Sequence, residues 1–435
     1  MKKLSLKIED LLPQLKAQLV KLSGFSLVFG FVKLNAFTAA LFLSNFVADT
    51  ADYGLFEYAL SIGLIAAIPL NFGLQGAYPF FNLKQQREGF RSIFYFHALL
   101  VSGLLFFFFV FNKWAYPIVP EKIAFALLIG GIIAMQVMLS AILKSHETIF
   151  PAVFLDGGLF LVLNVYNLWL YLSGDTLDFG VLEWVFGVYL LFLFGLHSYR
   201  FWTSRSDFSW RRYGIALQFG RNLLVSSFLI ICLTGSARIL IEYFLGMEQV
   251  GIYAFYFRFA AAVVMIHQVV NIVFFKKMYE SAPATLDKYF SLFLLFILLA
   301  GGILLFVVPM VFKGSLSLLD ETWLTYHKLY IILSFQMIFW ICMALNENIL
   351  YREQLSSKMN GWFAALLILM TGGIWWLAHL EQLDVFNLTL INSICLVAAC
   401  EVQFLLLRRK QLSFAKTRLL NLSFGLLLLI VYFTV

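Results

Sequence analysis

The sequence predicts an all-α polytopic membrane protein, and three observations predict it. Hydrophobic residues make up 62% of the chain and charged residues only 13%, where soluble chains carry about 25% charged. The apolar residues form continuous runs near the ~20 residues that a helix needs to cross a bilayer. The connections between runs alternate in charge along the chain. Continuous rather than alternating apolarity excludes a transmembrane barrel.

Taken in order, residues 1–22 are basic and amphipathic (Lys2, Lys3, Lys7, Lys16, Lys21) and lack an apolar core. They are read as a cytoplasmic surface segment, not a cleavable signal peptide. Thirteen apolar segments follow, at about 23–47, 54–81, 90–111, 121–143, 149–172, 179–202, 215–245, 250–275, 289–311, 325–350, 357–379, 386–407 and 418–435. The N-terminus, the turns after even-numbered segments and the linker before the last segment gather most of the 31 Lys and Arg. The opposite turns hold only Lys113, Lys122, Lys313 and Lys328 and are otherwise acidic: Asp49/Asp52, Asp175/Asp178, Glu248, Asp320/Glu321, Glu381/Asp384. By the positive-inside rule the N-terminus is expected to be cytoplasmic and the protein multi-pass in the cytoplasmic membrane.

The connection 203–214 (TSRSDFSWRRYG) divides the body into six segments at 23–202 and six at 215–407, with 418–435 as an additional transmembrane helix. Asp52-Tyr53-Gly54-Leu55-Phe56 opens segment two, and Gln249-Val250-Gly251-Ile252-Tyr253 opens segment eight, 197 positions later. Each follows a long first segment and precedes a basic turn. Six plus six predicts two bundles of parallel topology, related by an axis along the membrane normal. Chance likeness between two apolar hairpins is the plain alternative.

Polar residues inside the runs carry the candidate chemistry. At 100° per residue Glu57, Ser61, Asn71 and Gln75 fall within an arc of roughly 80° on segment two. Such a stripe must face protein or a water-filled cavity, because hydrocarbon cannot satisfy it; cavity lining is the expectation, helix packing the bland alternative. Pro69 is expected to bend that helix. Lys33 lies about ten residues into segment one, where a cation costs about 2.5–3.5 kcal/mol unless paired or hydrated; snorkelling is its alternative. Arg238 has Glu242 at i+4 and either pairs with it or faces an anion. Arg258 has no carboxylate at i±3 or i±4 and is expected to face a phosphate or carboxylate. Glu57 and Asp156 are the coupling-ion candidates, Asp156 sharing a helical face with Asn167. His267 and Asn271 read as satisfied core residues.

Other classes are excluded in turn. The net charge of +7 comes from basic residues that punctuate the turns, with no aromatic-interleaved groove for nucleic acid. Cys232, Cys342, Cys395 and Cys400 sit in apolar runs without metal-ligand spacing and read as small core residues. No metal site, cofactor motif, nucleophile elbow or phosphate-binding loop is present in the sequence, so an enzyme is not expected.

The chain resembles the polysaccharide-biosynthesis flippases of the multidrug/oligosaccharidyl-lipid/polysaccharide exporter superfamily, close to O-antigen and exopolysaccharide repeat-unit translocases. The likeness rests on Asp52-Tyr53-Gly54-Leu55-Phe56, Asn71-Phe72-Gly73-Leu74-Gln75-Gly76-Ala77, Arg238 through Gly246, Gly251-Ile252-Tyr253 and Arg258, with Gly-Phe-Val-Lys33 at a cationic first-helix position. Ala237 stands where the family usually has an acid before the arginine. The resemblance implies two six-helix bundles in a V that opens alternately to each side. It implies translocation of a polyprenyl-pyrophosphate-linked oligosaccharide, with polysaccharide polymerisation or export proteins as partners. Arg258, Arg238 and Lys33 would then bind pyrophosphate, and Asn71, Gln75, Tyr253 and Tyr256 the glycan. A cation-coupled multidrug exporter is the alternative within the superfamily, and an integral-membrane glycan polymerase lies further off.

Overall fold

The computed structural model describes residues 28–84, 90–114, 117–146, 148–204, 208–353 and 355–434. The reading of 1–22 as a surface segment lies outside these residues, as does the basic turn residue Arg87. Among the described residues there is no strand. The helices are α1 (Val28–Leu43), α2 (Thr50–Asn71), α3 (Leu74–Pro79), α4 (Arg91–Trp114), α5 (Glu121–Ser145), α6 (Ile149–Asp156), α7 (Gly158–Ser173), α8 (Phe179–Ser204), α9 (Trp210–Gly235), α10 (Ala237–Leu245), α11 (Met247–Glu280), α12 (Pro283–Phe312), α13 (Ser317–Arg352), α14 (Ser356–His379), α15 (Val385–Arg408) and α16 (Ala415–Thr434). Among the described residues each of the thirteen apolar segments is helical. Among them eleven helices are long and apolar enough to cross a membrane, and α6 with α7 makes a twelfth as one bent span.

Local chemistry sets many of the boundaries. The Asp49 carboxylate caps α2 by accepting the Asp52 N–H at 2.9 Å, and Asp384 caps α15 by accepting the Asn387 N–H at 2.6 Å. Such caps satisfy N–H groups that a helix start leaves unbonded. Pro283 opens α12, where a missing N–H costs nothing.

Three segments are interrupted where continuous helices were expected. Segment two does not simply bend at Pro69: it stops at Phe72 and Gly73, both left-handed (φ 48° and 68°), restarts as α3 and ends in a π-helical turn, Phe80–Lys84. A Cβ on Gly73 would lie 2.3 Å from the Gly220 carbonyl oxygen of α9, so the break is where two backbones touch. Segment five bends by 61° at Gly157. There Val32 of α1 fills the space of a Cβ on Gly157, and the Tyr189 hydroxyl that of one on Gly158. The bend separates Asp156 from Asn167, which therefore do not share a helical face. Segment seven is interrupted more mildly, at Ser236.

In the first half α2 packs on α5, and α4, α5 and α8 pack together, with α7 on α8. In the second half α13 lies between α11 and α15, flanked by α12 and α14. The halves meet along α2, which lies against α11, α9 and α10, and through α3 against α9. Helix α16 is integrated with the second half, packing on α12, α13 and α15. Asp287 of α12 accepts the N–H groups of Lys416 and Thr417 at 3.1 and 2.9 Å and so caps α16. Large apolar side chains such as Leu299, Phe306, Met310, Leu369 and Trp376 are exposed on the perimeter. A bilayer covers such a surface; water would not tolerate it at this extent.

Candidate functional site

The site begins at two glycines. Gly54 of α2 and Gly251 of α11, which open segments two and eight, pack backbone to backbone. A Cβ on Gly54 would lie 2.0 Å from the Met247 carbonyl oxygen, and one on Gly251 2.4 Å from that of Thr50. Small residues let membrane helices approach this closely. The approach carries the next turns of both helices into contact, and those turns bear charge.

Glu57 is fully buried. Its Oε1 accepts hydrogen bonds from Arg258 Nε and, at 3.1 Å, from the Tyr53 hydroxyl one turn earlier on α2. Arg238 Nε lies 3.4 Å from Glu57 Oε2, and its guanidinium carbon stands 4.6 Å from the Phe257 ring centroid. Both arginine side chains are no more than 10% exposed. Two guanidiniums around one carboxylate leave a surplus positive charge at the seam between the halves. One turn further, Ser61 donates to the Gly235 carbonyl at 2.7 Å. The upper part of the polar stripe therefore faces the other half of the protein, not an open cavity.

This arrangement decides between the alternatives for the two arginines. Arg258, with no carboxylate on its own helix, receives one from α2. Arg238 does not pair with Glu242, which instead binds Lys122 of α5 at 2.7 Å.

A second charged group lies at the other end of α2. Lys144 Nζ is 2.6 Å from Asp156 Oδ2, and Lys33 interacts electrostatically with both while standing 5.5 Å from the Phe29 ring centroid. Lys144, Asp156, Ser145 and Gln75 line a cleft of ≈ 420 Å³. Asn71 Nδ2 donates to Gln75 Oε1 at 3.0 Å. Fourteen residues separate Glu57 from Asn71, about 21 Å along the helix. Arg238 and Arg258 form one cationic group around Glu57, and Lys33 stands with Lys144 and Asp156 in another.

Tyr253 and Tyr256 are buried in the second-half core. The Tyr256 hydroxyl pairs with Thr322 Oγ1 at 2.9 Å, and its ring packs among Trp323, Tyr326 and Tyr330. Tyr253 packs on Phe257, and its hydroxyl has no hydrogen-bond partner. Neither tyrosine lines an open cavity in this conformation. His267 is buried beside Trp340 with both ring nitrogens unpartnered, unlike Asn271, which accepts from Asn348 at 3.0 Å.

Three contributors escaped the sequence reading. Tyr53 stands four residues before Glu57, a spacing that could have flagged it. Lys144 lies at the basic turn after segment four, where its charge reads as a topology signal. His97 of α4 answers the break in α2: its Nε2 pairs with the Leu70 carbonyl at 2.8 Å, an acceptor that a continuous helix would have satisfied, and its Nδ1 with the Tyr213 hydroxyl of α9 at 2.9 Å. The carbonyl must accept, so the proton sits on Nε2 and the Tyr213 hydroxyl donates to Nδ1.

Among the described residues no group of three or more His, Cys, Asp or Glu is placed to hold a metal ion. No family model, curated protein or solved structure matches the chain. What the many apolar helices support is a multi-pass membrane protein of transporter-like build.

Proposed function

We propose that the protein is a flippase that moves a polyprenyl-pyrophosphate-linked oligosaccharide across the cytoplasmic membrane by alternating access, for surface polysaccharide assembly. One observation carries the reading: two buried arginines from one half close on a single buried glutamate from the other, at the glycine crossing. Guanidinium groups pair well with phosphate oxygens, often through two hydrogen bonds. An incoming pyrophosphate competes with Glu57 for Arg258 and Arg238, and that exchange loosens the contact between the halves. Glu57, left without its partners, is then the group that takes up a proton or cation. The cleft lined by Lys144 and Asp156, with Lys33 in the same charged group, provides a second anion station, with Asp156 released in the same way. Asn71 and Gln75 offer amides to sugar hydroxyls beside it, while the polyprenyl tail stays in the bilayer.

A multidrug exporter of cationic compounds needs an available carboxylate. Glu57 is held by two arginines and Tyr53, and Asp156 by Lys144, which favours an anionic substrate. The test is complementation of a bacterium lacking its own repeat-unit flippase, at matched expression. The wild type restores surface polysaccharide, and Arg258→Ala and Arg238→Ala do not. Failure with several repeat units, together with extrusion of cationic dyes, replaces this reading with the exporter. Restoration by both variants removes the arginines from the mechanism.

A further inference from the structure

A cleft of ≈ 360 Å³ opens between α1 and α7, near the ends of these helices at the acidic turns. Asn45, Asn164 and Asn167 supply its polar wall, and Phe42, Phe46 and Tyr171 its rings; no charged side chain lines it. Its amides are ordered into a chain. Asn167 Nδ2 donates to the Ala39 carbonyl, which fixes the amide orientation and leaves Asn167 as an acceptor. Asn164 Nδ2 donates to both the carbonyl and the side-chain oxygen of Asn35. The chain ends in an acceptor without a partner, Asn167 Oδ1, and a donor without a partner, Asn35 Nδ2, both buried. Asn167 is only 5% exposed.

A buried amide atom without a partner is costly to keep, and this one borders a cavity. A cation is poorly served here, because the cleft offers no carboxylate to offset its charge. A phosphate is poorly served as well, because it offers no Lys or Arg. A hydroxyl group, which donates and accepts at once, matches an amide wall that presents a free acceptor at Asn167 Oδ1. Aromatic rings beside amides complete a surface for a sugar ring, whose C–H face is apolar and whose edge is polar.

We propose that the α1–α7 cleft is a glycan subsite that holds a neutral sugar of the lipid-linked substrate through Asn167, Asn164 and Tyr171. The proposal rests on the flippase reading and adds to it a separate place where a neutral sugar is recognised, apart from Asn71 and Gln75 and from the charged groups. Tyr171 is 73% exposed, so its removal leaves the packing of the chain intact. Asn167 also ties α7 to α1, which makes Tyr171→Ala the safer variant and Asn167→Leu the more incisive one.

The experiment uses the full chain in nanodiscs free of glycoside detergents and counts bound lipid by native mass spectrometry. The two probes are polyprenyl-pyrophosphate and the same lipid carrying a neutral disaccharide, with the free disaccharide as a competitor. The wild type is expected to bind the sugar-bearing lipid at least fivefold tighter than the bare one. Tyr171→Ala and Asn167→Leu are expected to bring that ratio close to one while leaving the affinity for the bare lipid unchanged. Equal binding of both lipids by the wild type overturns the subsite and leaves the flippase reading standing. A preference that survives both substitutions overturns its location. Binding of neither lipid overturns the subsite together with the reading it rests on. Competition by the free disaccharide with the sugar-bearing lipid but not with the bare one supports a site that reads the sugar itself.

Discussion

Replacing Glu57 by glutamine is the sharpest perturbation of the seam. The shape of the side chain is kept and only its charge is lost. In the wild type two guanidiniums surround one carboxylate, a surplus of one positive charge; the variant has a surplus of two. At 3.4 Å and an effective dielectric of about 20, one such attraction amounts to roughly 5 kcal/mol before desolvation is counted. Breaking a buried pair by removing one partner costs about 3–5 kcal/mol, because the other charge stays buried without compensation. Glu57→Gln should therefore lower the stability of the purified protein by about that amount, read as a fall in its thermal unfolding midpoint in detergent. Arg258→Gln on the Glu57→Gln background restores the wild-type surplus of one, so the double variant should be more stable than Glu57→Gln alone. A Glu57→Gln protein as stable as wild type, or a double variant less stable than Glu57→Gln, would refute the charge argument.

Three further outcomes are expected. Gly54→Ala forces a Cβ onto the Met247 carbonyl and should cost about 1–3 kcal/mol by overpacking. Gly372→Ala, with nothing within 4 Å, should be neutral or slightly stabilising; equal effects of the two on the unfolding midpoint would contradict the close crossing. Asp287→Ala removes the cap on α16 and should cost on the order of 2 kcal/mol, exposing the 409–414 connection to limited proteolysis at lower temperature; an unchanged cleavage profile would count against the docking of α16. His146, outside the spanning helices, pairs with the Tyr78 hydroxyl at 2.9 Å, and burial together with Arg91 lowers its pKa below the usual 6.5. The native protein thus resists a proton that the unfolded chain accepts. This contribution to stability is full above pH 6.5 and is lost below it, as pH falls through the lowered pKa of the folded state. His146→Gln should flatten the decline between pH 7.5 and 5.5, and an unaltered slope would exclude His146 as its source.

The helices were legible because bilayer physics writes them as long apolar runs with signed turns. The pairing of Gly54 with Gly251 was not legible, since a likeness between two stretches suggests equivalence and not contact. Arg258 and Glu57 are 201 residues apart, so their ion pair leaves no local spacing to read. The local spacing that did exist, Arg238 to Glu242, misled: Lys122 reaches Glu242 from another helix, and Glu57 is left to Arg238. The breaks at Phe72–Gly73 and Gly157 were hidden for a related reason. What interrupts the helices there is the approach of Gly220 and Val32 from distant parts of the chain, which no local pattern records.

The central claim is tested most directly by reconstituting the purified protein in proteoliposomes with a fluorescent polyprenyl-pyrophosphate-linked oligosaccharide. A membrane-impermeant quencher or glycosidase then follows the transfer of its head group between leaflets. Protein-dependent transfer that is lost in Arg258→Ala and Arg238→Ala is the predicted result. No transfer above that of empty liposomes, in vesicles that still accumulate a cationic dye against its gradient, would contradict the account.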